Sequence, residues 1–289
     1  MVSLNVTVKA IDESNLEDEV LLCVPPPESS YYLRSGFEKG IKKGVKDKVK
    51  WLRQKLKDYG YVGHIVYSSD GKPLGFIEFI SSKGAPLPVE EAETTAIITC
   101  IDLPKAPHGQ GTGTNLLKAT IGQLRSMGVC QVKTLVSRSP QWITGGIYRK
   151  HGFQIEKTFY KVGSPEPFDL LTLRLEGSQP KIEAVTQYLK LELKDSLPVE
   201  VLYFNSHQCP FSSAIYINHV NAVAKFSKEL VTFKTIDSWR EPEMAKRYGS
   251  MYFFDTFING RGPFFGPPKQ EEIEAEIQKE IDRVLQLKG

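Results

Sequence analysis

His108-Gly109-Gln110-Gly111-Thr112-Gly113-Thr114-Asn115-Leu116-Leu117 stands between a run rich in β-branched residues, TTAIITCI (94–101), and a helical pattern of Leu116, Leu117, Ile121 and Leu124. Three glycines in five residues let the backbone turn tightly with its N–H groups on one side, and a helix N-terminus adds partial positive charge. Together these features suit a pyrophosphate. Two common phosphate-binding patterns are excluded. A dinucleotide fingerprint needs a third glycine at residue 114 or 116, where Thr114 and Leu116 stand, and an acid further on, which residues 129–139 lack. A Walker loop needs a lysine before its closing Ser or Thr, and there is none.

Upstream, the order of elements is strand (Leu4–Ala10), short helix (Leu16–Cys23) and a Pro25-Pro26-Pro27 stop. A long helix follows, with Phe37, Ile41, Val45, Val49, Leu52, Leu56 and Tyr59 three or four apart on one face. Its other faces carry a basic run, ten Lys or Arg between Arg34 and Lys57 against Glu38 and Asp47. Lys39, Lys42, Lys43 and Lys46 either form a solvated face or attract an acidic acceptor. Gly36, Gly40 and Gly44 recur every four residues, a cost in a helix interior that points to close backbone approach or a frayed start. YVGHIVYSSDGKPLGFIEFI reads as a hairpin turning at Asp70-Gly71. Downstream lie the strand Gln131–Val136, a short helix within PQWITGGIYRKHGF, and the strands FQIEKTFYK and FDLLTLRL. The class is mixed α/β.

Of the 289 residues, 40% are hydrophobic and 25% charged, and the net charge is +3, so disorder and a protein dedicated to coating nucleic acid are both excluded. The N-terminus lacks a secretory signal and no run approaches a membrane span, which places the chain in the cytoplasm. Cys23, Cys100, Cys130 and Cys209 are too scattered for a disulfide framework, and no Cys/His pair has zinc spacing, so no metal is expected. His64, His151, His207 and His219 default to structural or surface roles.

The glycine run at this strand-to-helix junction, followed by Ile147-Tyr148-Arg149-Lys150-His151-Gly152-Phe153, resembles the ordered acyl-CoA signature and Tyr-x-Lys-x-Gly-Phe segment of the GNAT acetyltransferase superfamily. The resemblance covers residues 1–176. It implies a mixed central sheet with flanking helices and acetyl-CoA as cosubstrate. It also implies binding by Ile101, Leu103, His108, Gly109, Gln110, Gly111, Thr112, Gly113, Thr114 and Gln141. His108 replaces the usual Arg or Gln, and Gln141 the frequent Asn. The pantetheine arm is expected along the edge of the strand 94–102, with the thioester near its fork from the strand 131–136. The implied chemistry is attack of an amine on the thioester, with Tyr148 as candidate acid and Glu78, Asp102 or a water chain as base. The acceptor is a small-molecule amine or a peptide.

At Gly177-Ser178-Gln179-Pro180 the composition changes, which sets a boundary between domains 1–176 and 177–289. Beyond it come an amphipathic segment (Ile182–Leu193), the apolar strand VEVLYF, a helix from Pro210, the strand LVTFKTI, a helix near Glu243–Tyr248, strands about MYFF and DTFING, and a helix from Gln270. LYFNSHQCPFSSAI resembles the start of a thioredoxin-like fold, and the two-domain pairing resembles YoaP-type acetyltransferases. Cys209 at a helix N-terminus is expected to have a lowered thiol pKa. Ser212 at the second position excludes an internal disulfide there, and Phe254 stands where relatives carry a cis-proline. The alternative function is a thiol-dependent redox or binding module using Cys209, beside a non-catalytic acyl-CoA-binding domain. The second domain would aid acceptor recognition or form a homodimer.

Overall fold

The computed structural model describes residues 5–33, 36–107, 109–138, 145–164, 166–177, 182–189, 192–250, 254–264 and 266–287. Most of the chain builds one large mixed sheet. In chain order this part contains β1 (Val6–Ala10), α1 (Leu16–Leu22), α2 (Phe37–Tyr59), β2 (Gly63–Ser68), β3 (Pro73–Ser81) and β4 (Thr95–Asp102). It continues through α3 (Thr112–Ser126), β5 (Gln131–Ser137), α4 (Gly146–Lys150), β6 (Gln154–Lys161), β7 (Phe168–Arg174) and β8 (Val185–Leu189). The strand order is β1-β2-β3-β4-β5-β7-β6-β8, parallel at β4-β5 and β6-β8 and antiparallel elsewhere.

Alternation along β3 explains how the sheet carries two cores. Phe76 and Ile80 join Leu16, Val20, Leu52 and Ile97 on the face covered by α1 and α2. Ile77 and Phe79 join Ile98, Leu116, Leu117 and Tyr148 beneath α3 and α4. Glu78 shares the parity of Phe76 and Ile80, so the strand's period turns a carboxylate into the α2 side. The segment after residue 182 forms β8, which pairs parallel with β6 from Lys157↔Val185 to Lys161↔Leu189. A pattern exposed at every residue but Leu189 shows that backbone pairing, with Tyr160 stacked on Tyr188, holds this edge strand.

The remaining elements are β9 (Val199–Asn205), α5 (Pro210–Val223), β10 (Val231–Asp237), α6 (Pro242–Tyr248), β11 (Phe254–Ile258) and α7 (Gln270–Gln286). They form a second sheet ordered β10-β9-β11, with β10 parallel and β11 antiparallel to β9. Val199, Val201, Ile258, Ile273, Ile277 and Ile281 fill its core against α7. The part of MYFF at residues 251–253 lies outside the described residues.

The glycines of α2 face α5. A Cβ at Gly36 would meet Ile217 Cγ2 at 2.7 Å, one at Gly40 would meet Ala214 Cβ at 2.9 Å, and one at Gly44 would meet Pro210 Cα at 2.6 Å. Close backbone approach, not fraying, is the reason for Gly40 and Gly44, while Gly36, the N-cap of α2, holds φ +74° and meets only the Ile217 side chain. No helix among the described residues is long and apolar enough to cross a membrane.

Two histidines serve the cores. His64 Nδ1 lies 3.0 Å from Thr120 Oγ1, and His219 bridges Ile215 O and Thr256 Oγ1 while stacking on Tyr203. Burial pushes both rings down to about 4. Between that value and the ordinary 6.5 the unfolded chain binds protons that the folded chain refuses, so stability from these rings is full above 6.5 and drains as pH falls toward 4. Each ring contributes a slope of about 1.4 kcal/mol per pH unit in that window. Urea unfolding at pH 7 and pH 5 is expected to show a smaller pH difference in His219→Gln than in the wild type. Equal differences would refute the assignment.

Candidate functional site

The parallel ladder between β4 and β5 is short. It runs from Thr95↔Gln131 to Ile98↔Thr134 and stops. Past that point β4 stays paired with β3, through Glu78↔Cys100, Ile77↔Ile101 and Phe76↔Asp102, while β5 stays paired with β7 up to Ser137↔Phe168. The cause is a bulge. Phe79 opposes Ile98 and Glu78 opposes Cys100, which leaves Thr99 as an extra residue that bends β4 away from β5. Among the described residues, the β5-facing edge of residues 99–102 is therefore an unpaired row of backbone groups, able to accept an extended ligand as an added strand.

At the far end of that edge sits the glycine loop. Gly109 and Gly111 hold φ of +75° and +79°, a region that costs other residues strain, and open space surrounds the positions a Cβ would take. Gly111 caps α3 with no side-chain bond, and the amides of residues 112–114 stand in the first turn of that 15-residue helix, where a helix has no intrahelical acceptors for them. Among the described residues, no carbonyl or side chain takes the amide hydrogens of residues 109–111. The buried Thr112 hydroxyl also has no partner among them. Gly113 packs against Leu103 and Ile147, which brings the α3 N-terminus close to β4. Leu103 spends its amide on Asp102 Oδ1, 2.8 Å away, and its carbonyl accepts from the Ala106 amide at 3.2 Å, so what it offers the edge is its side chain. Gln110 and Thr114 complete the loop, while His108 and Gln141 lie outside the described residues.

Tyr148 of α4 is buried under the fork and set edge-on to Phe153. Its hydroxyl lacks a well-aligned partner, and burial pushes its pKa up, with Thr134 pulling the other way. Asp102 ends β4 with its residue surface open to solvent but its carboxyl turned toward the interior, where burial pushes its pKa up. Glu78 is fully buried and belongs to a polar cluster that the linear sequence conceals. Lys48 Nζ lies 2.7 Å from Glu19 Oε1 and 2.6 Å from Glu78 Oε1, with all three side chains at most 2% exposed. The same ammonium donates to Cys23 Sγ at 3.1 Å and faces the Phe76 ring at 4.8 Å. Gln208, 2% exposed, donates from Nε2 to Glu78 Oε2 at 2.5 Å and to Thr99 Oγ1 at 2.6 Å.

No protein-family profile matches the sequence, and no curated protein matches it either. Solved structures do. The chain is similar to an N-acetyltransferase from Staphylococcus aureus Mu50 at 15% identity and a TM-score of 0.42, over 60% of this chain and 99% of that one. It is similar to the ribosomal-protein-S18-alanine N-acetyltransferase from Escherichia coli at 15% identity and a TM-score of 0.39, over 62% of this chain and 99% of that one. A GNAT family N-acetyltransferase from Escherichia coli in complex with CoA shares 17% identity and a TM-score of 0.40, over 61% of this chain and 84% of that one.

Cys209 stands at the N-terminus of α5, where desolvation pushes the thiol up to about 11 and outweighs the Lys48 ammonium and the Phe211 and Ser212 amides, which favour a thiolate. A neutral thiol is a weaker nucleophile than a thiolate. Sequence reasoning missed Lys48, Glu19 and Gln208. For Lys48 a signal existed: it lies seven residues after Ile41 and four before Leu52, on the buried stripe and not the wet face. Lys42 and Lys43 do sit on that face, each 2.6 Å from a carboxylate, that of exposed Glu38 or half-buried Asp47.

Proposed function

We propose that the chain is an acetyl-CoA-dependent N-acetyltransferase acting on an amine, with residues 1–176 forming the acyl-transfer domain and residues 177–289, apart from the edge strand β8 that they lend to its sheet, a thioredoxin-like companion of the YoaP type. The observation that carries this reading is the coincidence of two features on one strand. The unpaired edge of β4 leads from the fork at Ile98 and Thr134 to a glycine loop whose amides have no partners among the described residues. The motif resemblance of HGQGTGTNLL and IYRKHGF points the same way. The Thr112 hydroxyl, without a partner among the described residues, and the Tyr148 hydroxyl, with only a poorly aligned Thr134 beside it, fit a ligand that offers phosphate at one end and sulfur at the other.

In this reading the amides of residues 109–114 hold the pyrophosphate, and the β4 edge from Thr99 through Ile101 to Leu103 aligns the arm. A bound acetyl-CoA supplies the thioester, whose C–S bond breaks as the acceptor's N–C bond forms. Glu78 takes the proton that the ammonium must lose. Tyr148 keeps its proton because burial disfavours the phenolate, and it delivers that proton to the leaving sulfur. The apolar wall of Ile98, Val136 and Phe153 limits water at the fork.

Gly111→Val puts a β-branched residue at φ +79°, which only a rearranged loop can hold. Acetyl-CoA affinity is expected to fall at least about tenfold by calorimetry, the equivalent of about 1.4 kcal/mol. Gly122→Ala, a helix position with open space around it, is expected to leave affinity unchanged. Absence of wild-type binding at about 1 mM acetyl-CoA, a limit of roughly −4 kcal/mol, would overturn the reading.

A further inference from the structure

Two carboxylates and one ammonium are enclosed together: Glu19 from α1, Glu78 from β3 and Lys48 from α2. Fully ionised, they would leave one negative charge buried without compensation, which a protein interior avoids by binding a proton. Glu19 Oε2 is buried and has no hydrogen-bond partner among the described residues, a position that leaves an ionised oxygen uncompensated. Burial, with Glu78 beside it, pushes the Glu19 carboxyl well up, and Cys23 and Cys100 are likewise pushed up by burial and stay neutral thiols. The other groups facing the cluster are Cys209 at the start of α5 and Asp102 at the end of β4.

Gln208 makes this arrangement asymmetric. Its Nε2 hydrogens go to Glu78 Oε2 and Thr99 Oγ1, so one amide from the C-terminal part of the chain ties the Glu78 carboxylate to the bulge that opens the fork. A hydrogen bond to an ionised oxygen favours the ionised form. We propose that Gln208 is a positioning residue that holds Glu78 as the ionised member of a one-proton carboxylate pair with Glu19, so that the amine-accepting end of the site is complete only with the C-terminal part of the chain. This inference rests on the acetyl-transfer reading for its purpose but not for its test.

Infrared spectroscopy on the full chain separates carboxylic acid from carboxylate. The wild type is expected to show a buried carboxylic acid band at neutral pH, where exposed carboxyls are ionised. Glu19→Gln, which balances Lys48 against Glu78 alone, is expected to lose that band. Gln208→Leu is expected to keep it to a higher pH, because the anion of the pair then loses a hydrogen-bond donor. Gln208→Met, of nearly equal length, is the second variant should leucine prevent folding. No acid band in the wild type, or a band unmoved by both Gln208 variants, would overturn the proposal. Acetyl-CoA calorimetry on the wild type is a separate arm: no binding there removes the acetyl-transfer reading, while the role of Gln208 stands or falls by the infrared bands.

Discussion

Gly44→Val is expected to lower the stability of the whole chain by about 3 kcal/mol or more, the upper end of over-packing costs. The reason is the identity of the obstructing atoms. A Cβ at residue 44 meets Pro210 through its Cα at 2.6 Å and its C at 2.7 Å, and no rotamer change moves backbone. Side-chain neighbours could turn aside, as Ile217 can opposite Gly36. At Gly44 the first turn of α5 must retreat as a body, and Gln208, two residues before Pro210, retreats with it. Urea unfolding monitored by circular dichroism checks the loss, with Gly122→Ala as the control. That substitution meets nothing within 4 Å and is expected to be neutral or to stabilise by up to about 1 kcal/mol. An unchanged midpoint in Gly44→Val would show that α2 and α5 do not pack through their backbones.

The same residues explain what the sequence could and could not reveal. The helix Phe37–Tyr59 is legible because its apolar stripe is local, and the hairpin around Asp70-Gly71 because its turn chemistry is local. The glycine loop is legible for the same reason: left-handed backbone at residues 109 and 111 needs glycine whatever else the chain does. Partners across the chain are another matter. Periodicity places Glu78 on the α2 side of β3 but does not say that Lys48 meets it there or that Gln208, 130 residues away, donates to it. Nor does a helix-terminus argument say how strongly Cys209 is desolvated, and desolvation decides its charge state. The segment 185–189 shows a third limit. Its membership of the large sheet comes from a free edge on β6, a property of the neighbour and not of VTQYL itself.

Asp255→Ala is expected to cost about 3–5 kcal/mol, the scale for breaking a buried ion pair by removing one partner. Lys161 of β6 and Asp255 of β11 join the two sheets. Lys161 Nζ lies 2.9 Å from Asp255 Oδ1 and 2.8 Å from Oδ2, with side chains 1% and 3% exposed. The ammonium also faces the Phe257 ring at 4.9 Å and the Phe168 ring at 5.8 Å. Without the carboxylate those rings supply at most a cation–π contact of about 2 kcal/mol, too little to offset the desolvation of a lysine. Water must then enter where the sheets meet. Trp51 of α2 and Trp239, after β10, lie 5.2 Å apart and report on the joint between the two parts. In a Trp142→Phe background, Asp255→Ala is expected to unfold at lower urea, with tryptophan emission changing at or before the loss of helix. The double variant Lys161→Met/Asp255→Leu removes both charges together and is expected to recover most of the loss. Recovery distinguishes a stranded charge from simple loss of packing, because a cavity left by Asp255 would add to the cost of removing Lys161 and not cancel it.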